Sequence, residues 1–147
     1  MTDQPRVDRT GKCLCGAITF EARGVKLDAS ACHCGMCRRW ASGPLLSAPC
    51  AEVSWKGEAP ATIESSNWAE RGFCAKCGTS LFYRLTQGKY QGTTSIALGA
   101  LEDQSGFRLN KEWFIDKKPE SYTFADETQE MTEAQIFEMY APKDSGE

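Results

Sequence analysis

Apolar and polar residues alternate with a period of two through much of the middle of the chain. The clearest runs are 17–22, 61–65 and 80–85, each rich in β-branched or aromatic residues. Shorter runs at 45–47, 53–55, 94–98 and 113–115 repeat the pattern between Gly, Pro, Ser and Asp. Strands this short and this closely spaced predict a mostly-β fold of twisted antiparallel sheets, not βαβ units. The period changes near the C-terminus. Thr132 and Gln135 form a capping-box pair, with Met131 and Ile136 placed as a hydrophobic staple. Ile136, Met139 and Tyr140 then fall on one stripe, and Pro142 marks the end, so a helix is expected over about 132–141, docked on a sheet. Residues 1–9 and 143–147 are expected to fray. The 147 residues suit a single domain with its core over about 11–125.

Composition changes little in this picture. Apolar residues make up 41% and charged residues 25%, ordinary values for a globular domain, and no apolar run is long enough to span a membrane. A net charge of −3 draws no phosphate-binding footprint, so no nucleic-acid partner is expected. There is no Walker loop and no Gly-x-Gly-x-x-Gly. The polar N-terminus carries no secretory signal, which makes a cytoplasmic location the expectation. The oligomeric state is left open.

The cysteines change the picture most. Seven of the eight lie in three clusters: Cys13-x-Cys15, Cys32-x-Cys34-x-x-Cys37 and Cys74-x-x-Cys77. In a reducing compartment such clusters bind metal or do redox work more often than they form disulfides. Zinc held by thiolates is tetrahedral with Zn–S of about 2.3 Å, which sets ligand sulfurs about 4 Å apart. Cysteines two or three residues apart reach that spacing locally. Cys74-Ala75-Lys76-Cys77-Gly78 reads as a zinc knuckle, its Gly free to take the positive φ such a turn needs. Cys13-Leu14-Cys15-Gly16 offers the other half, with the two thiolates facing one way if the segment is extended. Arg71 and Lys76 would offset the charge of this closed, structural site. A redox-active Cys-x-x-Cys is the competing reading.

Cys32, Cys34 and Cys37 supply three thiolates, and three protein ligands with an open fourth position is how zinc sits in catalytic sites. Cys50 as a fourth ligand would close the site; a Cys50 simply packed in the core is a further option. His33, between two ligands, is expected to point away from the metal and hydrogen-bond behind it, with metal ligation or acid–base catalysis as the alternatives. Arg38 and Arg39 could meet substrate carboxylates, and Trp40 could wall the pocket. Trp55, Trp68 and Trp113 are expected to be mainly core residues.

In order and spacing, Cys-x-Cys-Gly, Cys-His-Cys-x-x-Cys-Arg and Arg-x-Phe-Cys-x-x-Cys-Gly-Thr (71–79) resemble the glutathione-dependent formaldehyde-activating enzyme family, also called the centromere-protein-V-like group. The resemblance runs over about residues 11–122. It implies an Mss4-like (β-tent) fold and two zinc ions per chain. Cys13, Cys15, Cys74 and Cys77 match the structural zinc, and Cys32, Cys34 and Cys37 match a second, open zinc; Cys50 matches no ligand. The implied activity is a zinc-dependent carbon–sulfur lyase whose partners are a small-molecule thiol, glutathione among the candidates, and a small aldehyde. Segment 111–116 carries no histidine where many relatives have one. A zinc-stapled binding module and a thiolate redox sensor that releases zinc on oxidation are the alternative functions.

Overall fold

A computed structural model describes residues 5–140. Residues 1–4 and 141–147, Pro142 among them, lie outside the described residues, as does the side chain of Tyr140. The strands are β1 (Arg6–Lys12), β2 (Ile18–Lys26), β3 (Asp28–Cys32), β4 (Leu45–Cys50), β5 (Glu52–Gly57), β6 (Ala61–Ser66), β7 (Ala69–Phe73), β8 (Ser80–Leu85), β9 (Thr94–Ala97), β10 (Arg108–Trp113) and β11 (Gln129–Met131). Two α-helices join them, α1 (Gly35–Ala41) and α2 (Glu133–Tyr140). The mostly-β expectation holds. Residues 6–9, expected to fray, instead belong to β1, which pairs with β2 over its whole length.

Two sheets form. One is three-stranded in the order β1-β2-β5; the other is eight-stranded in the order β11-β10-β3-β4-β9-β8-β7-β6. In β2, Ile18, Phe20 and Ala22 are buried while Thr19 is exposed, the period-two pattern read from the sequence. In the small sheet Phe20 and Trp55 lie with ring centroids 5.0 Å apart, and Trp55 meets Phe82 of the large sheet at 5.5 Å. Ala48, Leu81 and Ile96 complete that core. Gly72, opposite Phe82 in the register, has no room for a Cβ beneath that ring.

One expectation fails. The sheets are not wholly antiparallel: β10 runs parallel to both β3 and β11. Hairpins force antiparallel pairing only between strands that follow one another, and β10 returns to β3 after six intervening strands. The run at 113–115 also ends differently. Trp113 closes β10, Phe114 adopts a left-handed backbone (φ 60°, ψ 49°), and Ile115–Lys117 form a 3₁₀ turn. That backbone terminates the strand, which lies upstream at Arg108–Trp113 instead.

The helix α2 forms where its cap predicted it. Gln135 Oε1 accepts from Thr132 N at 2.7 Å and Gln135 N donates to the Thr132 hydroxyl at 3.3 Å. Met131 and Ile136 are both buried, as a staple requires. The stripe continues less far than expected. Met139 is exposed, because α2 packs by its start against the 3₁₀ turn Ile115–Lys117 instead of lying along a sheet.

Candidate metal centres and the groove beside them

The four-cysteine group is assembled by two tight turns. Cys13 follows β1, and the chain turns back at once, with Gly16 N donating to Cys13 O at 3.2 Å. The segment is therefore a turn, not the extended strand expected from the sequence. Cys74 to Gly78 makes a second turn, closed by Gly78 N to Cys74 O at 2.8 Å. Gly16 (φ 84°) and Gly78 (φ 82°) supply the left-handed backbone both turns need. The Thr79 hydroxyl ties them together by accepting from Leu14 N at 2.9 Å and lying 3.1 Å from Cys77 Sγ. Hydrogen bonds from Thr79, first its hydroxyl and then its amide, hold Cys77 down to about 5. The four sulfurs lie within 4.8 Å of one another, with Cys13–Cys15 at 3.7 Å and Cys15–Cys74 at 3.8 Å. Those separations match the edge of a tetrahedral thiolate site, so the residues fit a closed zinc centre. Lys76 stands beside it, paired with Glu58 at 2.9 Å.

Arg71 does not join this group. The register sets Arg71 opposite Tyr83, on the face of the large sheet turned away from the small one. There it lies only 2% exposed, with Nη1 3.4 Å from Cys37 Sγ, held between the rings of Trp40 at 5.2 Å and Tyr83 at 4.9 Å. The buried cation serves the other cysteine cluster.

That cluster is built by a strand end and a helix start. Cys32 closes β3; Cys34 caps α1, its sulfur accepting from Cys37 N at 3.3 Å; Cys37 lies one turn into the helix. The spacing of three brings Cys34 and Cys37 to one helix face, and all three sulfurs lie within 4.8 Å of one another. Among the described residues no fourth Cys, His, Asp or Glu joins them. The donor set fits a zinc site with one position left for another ligand. Free of metal, the sulfurs share their protons unequally. Hydrogen bonds with Cys32 and then Cys37 hold Cys34 down to about 2, while those with Cys34 and then Cys37 push Cys32 up. Leu45, Ala97, Trp40, Tyr83 and Phe114 wall the cluster, and burial pushes the Tyr83 phenol up to about 12.

Cys50 is remote from this group. It points from β4 into the core between the sheets, five residues along the strand from Leu45, or about 17 Å. Its thiol is pushed up to about 11 by burial. Cys50 is a core residue, and the closed-site alternative falls.

His33 is fully buried with both ring nitrogens engaged, Nε2 2.8 Å from Glu112 Oε1 and Nδ1 2.8 Å from the Tyr122 hydroxyl. Thr128 donates to the second Glu112 oxygen at 2.7 Å. The ring thus points away from the sulfurs, and no nitrogen is left for a metal or a substrate. Segment 111–116, which holds no histidine itself, supplies the carboxylate that anchors this one. An acidic residue beside the apolar run 113–115, together with the only histidine of the chain, was the available signal for the pair.

Of the residues expected to meet substrate, Arg39 lines the open groove, whereas Arg38 lies on the Tyr122 side and Trp40 stacks behind Arg71. The groove itself was not foreseen. It is a cavity of about 900 Å³ running from Cys32, Cys34 and Cys37 across the large sheet. Its floor is set by the register: Ser30 pairs with Ser47, Ser47 with Ala97, and Ser95 with both Pro49 and Tyr83. Trp55 lies in the core between the sheets, while Trp68 and Trp113 border the groove. No helix among the described residues is long and apolar enough to cross a membrane.

Comparison with known proteins agrees with this architecture. The chain is 35% identical over 125 residues to an uncharacterised lyase of Schizosaccharomyces pombe, covering 83% of this chain and 89% of that protein. A crystal structure of a Rhodobacter sphaeroides protein superposes with a TM-score of 0.54 at 22% identity, over 63% of this chain and 87% of that one, and shares the fold. The model of the glutathione-dependent formaldehyde-activating enzyme matches residues 8–117, an interval holding both cysteine groups, Arg71 and Glu112, and the chain belongs to that family.

Proposed function

We propose that this protein is a zinc-dependent carbon–sulfur lyase acting on a thiol–aldehyde adduct such as S-hydroxymethylglutathione. The observation that carries the reading is a cluster of three sulfurs with no fourth protein ligand, opening directly on a large groove. Cys13, Cys15, Cys74 and Cys77 would hold a structural zinc, and Cys32, Cys34 and Cys37 a second with one position open. Bound there, zinc supplies a Lewis-acidic position at which a substrate sulfur is held without its proton.

The protein's own groups do the rest. Arg71 offsets the negative charge gathered by three thiolates and an incoming fourth, at a depth where water cannot. Trp40, Tyr83 and Phe114 keep the sulfurs dry, which strengthens that offset. His33, clamped by Glu112 and Tyr122, fixes the backbone between Cys32 and Cys34. Bond changes balance without a redox partner. The carbon–sulfur bond breaks with its electron pair going to sulfur, the adduct hydroxyl loses its proton as the carbonyl forms, and that proton ends on the thiol. The reverse reaction joins aldehyde and thiol.

Cys34→Ser tests the assignment. Zinc per chain, measured by native mass spectrometry, is expected to fall from two to one, with aldehyde consumption in the presence of glutathione abolished and the fold kept. Full turnover in that variant would sink the lyase reading.

A further inference from the structure

The groove is roofed. Tied to the 3₁₀ turn after Phe114 by Glu133 N to Asp116 Oδ1 at 3.0 Å and Lys117–Glu133 at 3.4 Å, α2 projects over the sheet. Its Phe137 meets Phe114, next to the sulfurs, with centroids 6.1 Å apart, and Trp68, at the turn between β6 and β7, at 5.8 Å. Both contacts are edge-on at 78°. Phe114 and Trp68 belong to opposite ends of the eight-stranded order, so one side chain bridges the sheet. Beneath it lie the hydroxyls of Ser30, Ser47 and Ser95, uncharged and on one face.

Two further facts bear on what the space holds. Its volume of about 900 Å³ lies at the upper end of the ~300–1,000 Å³ of small-molecule clefts. Phe114, the aromatic residue that begins the roof, is held in a left-handed backbone conformation that a bulky residue rarely adopts. Strain of this kind persists where the surroundings enforce it, and here it directs the ring at the cluster.

An adduct has two arms meeting at the scissile bond: the thiol's, and that of the aldehyde carbon. A hydroxymethyl arm would leave the aromatic span wet and unfilled. We propose that the natural adduct carries an apolar or aromatic substituent on the aldehyde carbon, and that Phe114, Phe137 and Trp68 select it. This rests on the lyase reading for the identity of the reaction, R–S–CH(OH)–R′ giving R–SH and R′–CHO, but concerns which R′ the groove prefers. The three serine hydroxyls of the floor suit the hydroxyl of the adduct, while Arg39 and Lys111, which also line the groove, suit carboxylates on the thiol arm.

The test uses inert thioethers with the zinc-loaded protein, so binding is read apart from turnover. By calorimetry, S-hexylglutathione is expected to bind at least about tenfold more tightly than S-methylglutathione, since buried methylenes add affinity. Phe137→Ala should reduce that preference to under about threefold, and Phe137→Leu, which restores apolar bulk, should recover part of it, with the zinc count unchanged in both. Equal affinity for the two thioethers, binding of neither, or an unchanged preference in Phe137→Ala overturns the proposal. A hexyl preference in a protein that cleaves no adduct would keep the groove assignment and remove the lyase reading alone.

Discussion

Arg71 shows how much one side chain can decide at this site. A guanidinium this deeply buried persists only where negative charge and aromatic faces receive it, and Cys37, Trp40 and Tyr83 supply both. Its hydrogen bond to a thiolate belongs to the charged class, which contributes about 1.5–3 kcal/mol. Arg71→Gln should therefore loosen the three-cysteine centre and leave the four-cysteine centre loaded. Native mass spectrometry under increasing chelator would show one zinc leaving about tenfold earlier than in the unaltered protein. Arg71→Lys keeps the charge and should fall between the two. Loss of both zincs together in Arg71→Gln would mean that the residue supports the fold as a whole.

At the level of elements, α2 is held by its cap and its first turn. Thr132→Ala removes the hydroxyl that accepts from Gln135 N, a change that costs about 1 kcal/mol. Amide exchange over residues 136–140 should accelerate about fivefold while the sheet amides stay as they were. Uniform acceleration would show that the helix unfolds only with the whole protein. This helix also marks how far the sequence could be read. Its cap and staple were legible because capping is local chemistry, and so was the alternation of Ile18, Phe20 and Ala22. The turn closed by Gly78 was legible for the same reason, whereas the one closed by Gly16 reads in sequence as extended chain. Partners separated by long stretches were not. Arg71 was assigned to the cysteines three residues away, when strand register turns it to the opposite face. The parallel strand β10 carries no local mark of its direction, and the strained Phe114 looks in sequence like a continuing strand. Three cysteines announced a set of candidate metal ligands; the groove beside them follows from how eight strands line up.

For the whole molecule, the placement of β10 has a consequence in time. It lies between β3 and β11, and it delivers both Glu112 to His33 and the Trp113 carbonyl that accepts from His33 N at 3.0 Å. During synthesis the cluster at 32–37 emerges long before that strand. The 79 residues between His33 and Glu112 take about 4–16 s at ~5–20 residues per second. The four-cysteine group is complete in sequence once residue 77 has emerged, well before β10 has been made. Nascent chains with about 100 residues outside the ribosome should therefore have Cys34 open to alkylation, and chains with residue 131 and everything before it outside should have it shielded. Equal labelling at both lengths would show that the cluster closes without β10. The order of assembly follows the order of translation: the four-cysteine group can close first, while the three thiols at 32–37 wait, exposed to oxidants and stray metals, for a strand not yet made.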